Sequence, residues 1–498
     1  MSDYLVLHNG EAAPQAQVPT LSYEALRDGL IAGVTAGCRV LALFATPMAG
    51  GHLLWLVLGC PTEGGFRLSR AAIAGDNYPS LTPAVPAVHL FERELAEQRG
   101  LVPEGHPWLK PVRFPGPRQG RGDRPQVGEM DFYRVGGDEV HEVAVGPVHA
   151  GIIEPGHFRF QCSGEQVLNL EISLGYAHRG VERSLVGGPT PRTLPVIETL
   201  AGDTTIAHTT AYALAIEGLT CTAAPPRAQA IRAVALELER LANHTGDLGA
   251  LAEDVAFLPT ASWCGRIRGD WLNLSAQICG SRFGRGLVLP GGVRFDLEPA
   301  RAAAMGAKVA ATFRDVQGAT KLMWDTPGVM ARFEETGHVS RERALEVGLV
   351  GPAARASGLS RDARVDFPWD LYRFEQLPLA SCTRGDVFGR AWVRWLEVQR
   401  SAAFVQEQLA HPPEEGSLRR LPGPLPPDRV VVTVVEAWRG ELCHVALTDS
   451  AGRFSTYKIA DPSFHNWTGL SLALRGQQIS DFPLCNKSFN LSYCGFDL

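Results

Sequence analysis

The chain has 498 residues, of which 45% are hydrophobic and 20% charged. That is a globular composition, long enough for two or three domains, and it excludes a disordered or fibrous chain. A net charge of −6, from 47 basic and 53 acidic side chains, gives no basic surface for nucleic acid, so none is expected as a partner. The ten cysteines contain no CxxC pair, which excludes the usual zinc-ribbon and iron–sulfur spacings.

The first residues, MSDYLVLHNGEAAPQAQ, lack a basic segment followed by an apolar run, so no secretory leader is expected. The scattered thiols then read as reduced cysteines of a cytoplasmic protein. LSYEALRDGLIAGVTAG spaces Leu21, Leu26, Leu30 and Val34 as one face of a helix. Residues 40–59 carry no acidic or basic side chain and approach the length of a membrane span. Pro47, Gly50 and Gly51 break the run midway, however, which predicts a buried β-hairpin instead. A short helix follows in HLFERELAEQRG, ended by Gly100.

Residues 114–144 are rich in Pro, Gly and charge, which is linker composition. They separate a small α/β domain, 1–113, from a larger one, 145–498. In the second, HFRFQCSGEQVLNLEISLGY alternates on both sides of Gly164, as an antiparallel hairpin does. Residues 193–255 are mostly helical, with Ile231, Val234, Leu238 and Leu241 on one face and Pro225-Pro226 opening that helix. Further helices are expected in GRIRGDWLNLSAQICG, EPARAAAMGAKVAATFRDVQGAT and DVFGRAWVRWLEVQRSAAFVQEQLAH, and a terminal β-meander beyond residue 428. The fold class is α+β: a small α/β domain, then a mainly helical domain with small sheets.

No Walker A, HExxH, GxSxG or strand-borne GxGxxG motif occurs. Instead, Gly, His, Arg and acidic residues concentrate in short blocks: GPVHAGIIEPGHFRF, GYAHRGVER, ERLANHTGDLGALAED, LPGGV, GPAARASGLSRDARVDFP and RGDVFGR. Taken singly, such a loop is most often a turn and such a Glu–Arg pair a solvated ion pair. In this order they resemble the large subunit of the energy-converting (group 4, formate hydrogenlyase-type) [NiFe] hydrogenases, and the D-type, quinone-site subunit of respiratory complex I. YPSLTPAVPAVHLFERELAEQRGLVPEGHPWLKPVRF resembles the C-type subunit of complex I, fused ahead of the D-like part.

The departures from these families are as informative. Where the hydrogenases carry RxCGxC, this chain reads TLAGDTTIAH, with Ala201 and Thr204 at the cysteine positions. Where they end in DPCxxC, it reads NLSYCG, with Ser492 and Gly495. The resemblance therefore implies that no nickel–iron group is held, since soft thiolates are what bind it. The quinone-headgroup tyrosine of complex I is replaced by Gly202, while the paired loop histidine falls in the region of His149 and His157. Asp254 stands ten residues after His244, matching the acidic residue beside the quinone site. Glu154 matches the glutamate that passes protons in hydrogenases.

Glu154, Asp254, His149, His157 and His244 are thus the candidate proton-route or quinone-cavity groups, with His178, Glu182 and His208 in neighbouring blocks. The resemblance implies a C/D-type subunit of a respiratory oxidoreductase complex that couples electron transfer to ion translocation. Its partners would be a small iron–sulfur subunit with a nearby [4Fe-4S] cluster, ion-translocating membrane subunits, and in some assemblies a soluble dehydrogenase module. Quinone is the candidate ligand, and any NAD chemistry would lie in partner subunits. Its place would be peripheral, on the cytoplasmic face of the inner membrane. The alternative is a non-catalytic coupling scaffold between a soluble dehydrogenase and a membrane arm. An open cavity ringed by His149, Glu154 and Asp254 would favour chemistry.

Overall fold

The computed structural model describes residues 3–115, 126–150, 153–414 and 416–498. The uncharged run is the expected hairpin: Arg39–Met48 and Gly51–Cys60 pair antiparallel, with Pro47 opposite His52 and Met48 opposite Gly51. Gly50 turns the chain at φ 79°, a conformation glycine adopts without a Cβ penalty. Both strands are buried because Gly65–Ala74 continues the sheet beyond Gly51–Cys60. The helix Tyr23–Thr35 also packs on it, its first turn closed by Ser22 Oγ accepting from Ala25 N. Among the described residues no helix is long and apolar enough to cross a membrane.

The reading of all ten cysteines as reduced is corrected at one pair. Cys38 and Cys60 form a disulfide, and the other eight are free. The hairpin register causes this: Arg39 stands opposite Gly59, which brings the preceding Cys38 beside Cys60.

The two ends of the chain share a sheet. Its strand order is Phe454–Ala460, Gly440–Thr448, Arg429–Ala437 and Ala12–Pro14. Arg39 reinforces the contact, with Nε 2.8 Å from Glu441 Oε2 and Nη1 2.7 Å from Asp366 Oδ2. One continuous apolar core therefore runs from the N-terminal sheet into the helices. Of the expected linker 114–144, residues 116–125 lie outside the described residues. The strand Val140–Val145 starts five residues ahead of the expected boundary at 145 and pairs with His157–Ser163.

The helical body is built around Pro226–Asp254, which is buried around almost its whole circumference rather than on one face. Leu258–Cys279, Pro299–Trp324 and Val387–Ala410 surround it, and Thr205–Thr220 lies between it and the sheet. Because this central helix carries Arg232, Glu237, Glu239, Arg240 and His244, the body encloses charge as well as hydrocarbon. Arg240 bonds Glu237 and Glu397, Arg355 bonds Glu397 and Glu436, and Arg364 bonds Glu237 and Asp362. All seven are buried.

Candidate functional site

Three turns converge around the four positions that depart from the hydrogenase pattern. The first, Ala201–Thr204, precedes the helix Thr205–Thr220; the second is Ser492–Gly495; the third is Asp461, which caps the helix Pro462–Ala473 by accepting from Ser463 N. Asp203 grips Arg439 through both carboxylate oxygens, Oδ1 to Nη1 at 2.6 Å and Oδ2 to Nη2 at 2.8 Å. Burial would raise the Asp203 pKa, but this guanidinium holds it below the usual carboxylate value. Arg439 Nε in turn donates to Asn490 O at 2.6 Å, which ties the first turn to the second.

Each of the four positions that departs from the hydrogenase pattern has a structural role of its own. Ala201 is buried and offers no donor atom. Thr204 Oγ1 donates to Asp203 Oδ1 at 3.1 Å and accepts from Trp438 Nε1 at 3.1 Å. Ser492 Oγ accepts from Gly495 N at 2.9 Å, capping the last helical turn. A Cβ on Gly495 would lie 2.8 Å from the carboxyl group of Asp461, so a cysteine there clashes with the carboxylate where it now stands. Two positions without ligand atoms and two hydroxyls engaged in protein bonds do not fit a thiolate-held nickel–iron group.

Glu154 reaches this place from the loop between Val140–Val145 and His157–Ser163. Its Oε2 accepts from Tyr493 N at 3.3 Å and Cys494 N at 3.5 Å. Cys494 Sγ lies 3.3 Å from Ser492 Oγ. Burial, and then the Glu154 charge, push the Cys494 thiol up to about 11, so it is protonated at neutral pH.

Among the described residues, none of His149, His157, His244 and Asp254 is hydrogen-bonded to the three turns, although the His244 ring packs edge-on against Trp438. His149 Nε2 is 2.9 Å from Gly156 O and His157 Nδ1 is 3.2 Å from Gly146 O, so both histidines pin the base of the Glu154 loop. His244 lies inside the helical body, with Nε2 2.8 Å from Glu397 Oε2. Asp254 ends the same helix, about 15 Å further along at 1.5 Å per residue. Its Oδ2 is buried without a partner, and burial raises its pKa. Among the described residues no hydrogen bond joins Asp254 or His244 to the Glu154 loop. His178 Nδ1 contacts Asp497 O at 2.8 Å, and Glu182 pairs with Lys458 at 3.0 Å.

Sequence reading missed Asp203, Arg439 and Asp461. The available signal was their place at the ends of helices and strands, where a carboxylate or guanidinium can reach across to another segment.

Glu239 closes the site from behind. It accepts from Ile206 N at 2.8 Å and Ala207 N at 3.3 Å, and burial pushes its pKa from 4.5 up to about 8. Between those values the folded chain holds a proton that the unfolded chain has released. Stability from this group therefore falls as pH rises through that window. Glu239→Gln, whose amide nitrogen cannot accept from Ala207 N, is expected to lie below the wild type near pH 4.5 and to gain on it steadily up to about pH 8, read by chemical unfolding across that range. An unchanged gap would show that Glu239 does not titrate there.

Residues 254–421 match the family model described as the respiratory-chain NADH dehydrogenase 49 Kd subunit. The chain is 31% identical to the carbon monoxide-induced hydrogenase of Rhodospirillum rubrum over 349 residues, covering 70% of this chain and 96% of the relative. The chain belongs to that family. It unites the large subunits of membrane-bound hydrogenases with the 49 Kd subunit of complex I, as the ordered sequence blocks imply. NADH-quinone oxidoreductase subunit 4 of Thermus thermophilus is 28% identical, covering 68% of this chain and 89% of its own length. The structure of the membrane-bound sulfane sulfur reductase, an archaeal respiratory membrane complex, shares the fold at a TM-score of 0.67 and 22% identity, over 72% of this chain and 99% of that one.

Proposed function

We propose that this large subunit serves a membrane-associated respiratory complex as an electron-transfer site that works without nickel and iron of its own. The observation that carries this reading is the state of the four ligand positions: two lack donor atoms and two are hydroxyls committed to Asp203, Trp438 and Gly495. The complex I relatives support a quinone as the electron acceptor. A small subunit with a [4Fe-4S] cluster delivers the electrons, and membrane subunits move the ions. Residues 1–113 form the C-type part, and the whole sits on the cytoplasmic face of the inner membrane.

Glu154 is the group that holds and releases a proton at the turn Ser492–Gly495, since its carboxylate faces two backbone amides there. His149 and His157 set the position of its loop. Asp254, with one carboxylate oxygen unsatisfied, is a second proton-handling group at the far end of the central helix.

The test is elemental analysis of the intact purified complex and of this subunit alone, followed by quinone reduction with an artificial electron donor. The expected result is iron in the complex, no stoichiometric nickel in either sample, and quinone reduction that Glu154→Gln slows at least tenfold. Nickel that remains with the isolated subunit would overturn the reading. A complex that transfers no electrons to quinone would identify the chain as a coupling scaffold instead.

A further inference from the structure

A row of polar groups runs through the interior behind the three turns. Asp461 Oδ2 is 3.1 Å from His208 Nε2, His208 Nδ1 is 3.1 Å from His444 Nε2, and His444 Nδ1 is 3.0 Å from Tyr457 Oη. The four residues come from the helix Thr205–Thr220, two strands of the C-terminal sheet and the junction after the second strand. None is more than 2% exposed.

At one end, Asp461 lies against Gly495 of the candidate site. At the other, Tyr457 forms part of the wall of a cavity of about 780 Å³, shared with Glu182, Lys458, His178, Arg183 and Leu498. A polar cavity of that size holds water. We propose that Tyr457, His444, His208 and Asp461 form a proton-conducting chain between this cavity and the turns Ala201–Thr204 and Ser492–Gly495.

The hydrogen-bond inventory allows an arrangement in which every link is satisfied. The Asp461 carboxylate accepts, so His208 carries its proton on Nε2 and accepts on Nδ1. His444 then donates from Nε2 and accepts on Nδ1, and Tyr457 donates its hydroxyl proton. This arrangement needs a neutral His444, and burial, with His208 beside it, holds His444 well below its usual pKa. All donors point toward Asp461. One proton bound from cavity water at Tyr457 Oη displaces the phenolic proton to His444 Nδ1. The Nε2 proton of His444 passes to His208 Nδ1, and that of His208 to Asp461 Oδ2. The charge of one proton is thus carried from Tyr457 to Asp461, each ring having exchanged an Nε2 proton for one on Nδ1, and the same hops in reverse carry the charge back and restore the starting tautomers.

Because all four ring nitrogens are used within the row, the chain has two ends and no branches. The purpose of the chain rests on the functional reading above, but its conduction is measurable without it. In the full-length protein uniformly labelled with ¹⁵N, the ring protons of His208 and His444 are expected to exchange with solvent at least tenfold faster than the backbone amides of Gly440–Thr448. Tyr457→Phe is expected to slow that exchange at least tenfold, and the amides in the same spectra report that the variant remains folded. His444→Gln, which breaks the second link, should slow His208 alone to the same degree. Ring protons that exchange in step with the strand amides, or an exchange rate that Tyr457→Phe leaves unchanged, would overturn the proposal. In the intact complex, Tyr457→Phe should also lower quinone reduction at least tenfold while the iron–sulfur clusters still reduce at the wild-type rate. A wild-type complex inactive toward quinone would sink the functional reading and leave the exchange result to decide the chain.

Discussion

Arg355→Met is expected to lower the unfolding free energy by about 3–5 kcal/mol, the usual cost of leaving a buried charge without its partner. Arg355 bonds Glu397, and its Nη1 lies 2.7 Å from Glu436 Oε1. It is fully buried, as are both carboxylates. Glu436 already sits near pKa 7, raised by burial and by Asp362 and held from rising further by Arg355. Without the guanidinium it takes up a proton, and Glu397 keeps only Arg240 and His244. Arg343, which forms an exposed pair with Glu346 at 2.7 Å, is the control: Arg343→Met is expected to cost under about 1 kcal/mol. Denaturant unfolding of both variants checks the contrast, and a similar small loss for Arg355→Met would show that the network relaxes or admits water.

Gly291→Ala is expected to destabilise by about 2–5 kcal/mol, from the left-handed backbone and the overpacking together. Gly291 has φ 87°, and a Cβ there would lie 1.7 Å from Arg420 O. The LPGGV block thus works as a crossing point of two backbones. Strands Val288–Leu289 and Gly292–Val293 pair, Arg420 N donates to Gly291 O at 2.9 Å, and Gly291 N donates to Glu217 Oε1 at 2.7 Å. Arg232 fastens the same turn through Leu289 O at 2.7 Å and Gly292 O at 3.0 Å. Unfolding of Gly291→Ala beside Gly416→Ala, whose added Cβ would have only a 4.0 Å contact, reads the effect. Equal stabilities would show that the segment 418–420 moves aside freely.

These two results bear on how the conspicuous sequence blocks are used. LPGGV and GPAARASGLSRDARVDFP stand out by composition as a catalytic motif would, and both build the interior. Read singly, Arg355, Asp362 and Arg364 are most simply surface ion pairs. In the structure they are enclosed by helices distant in sequence, and no local pattern reports that enclosure. Among the five candidate residues, only Glu154 is hydrogen-bonded to the three turns. Spacing along one helix pairs His244 with Asp254, but ten residues of helix separate them by nearly three turns.

Elements with local causes were legible in the order of residues alone. Two uncharged apolar runs and a Gly turn set the hairpin at 39–60, Gly100 set a helix end, and Pro225-Pro226 opened the central helix. That Ala201, Thr204, Ser492 and Gly495 offer no sulfur was equally legible, because residue identity alone decides donor chemistry. Which titratable groups meet was settled by the packed fold. His208 and His444 are 236 residues apart, Arg39 and Glu441 are 402 apart, and even Cys38 meets Cys60 only through the hairpin register. Backbone conformation answers to neighbours within a few residues, whereas a side chain's charge partner is whatever the packed layers place within about 3 Å, and that depends on the whole chain.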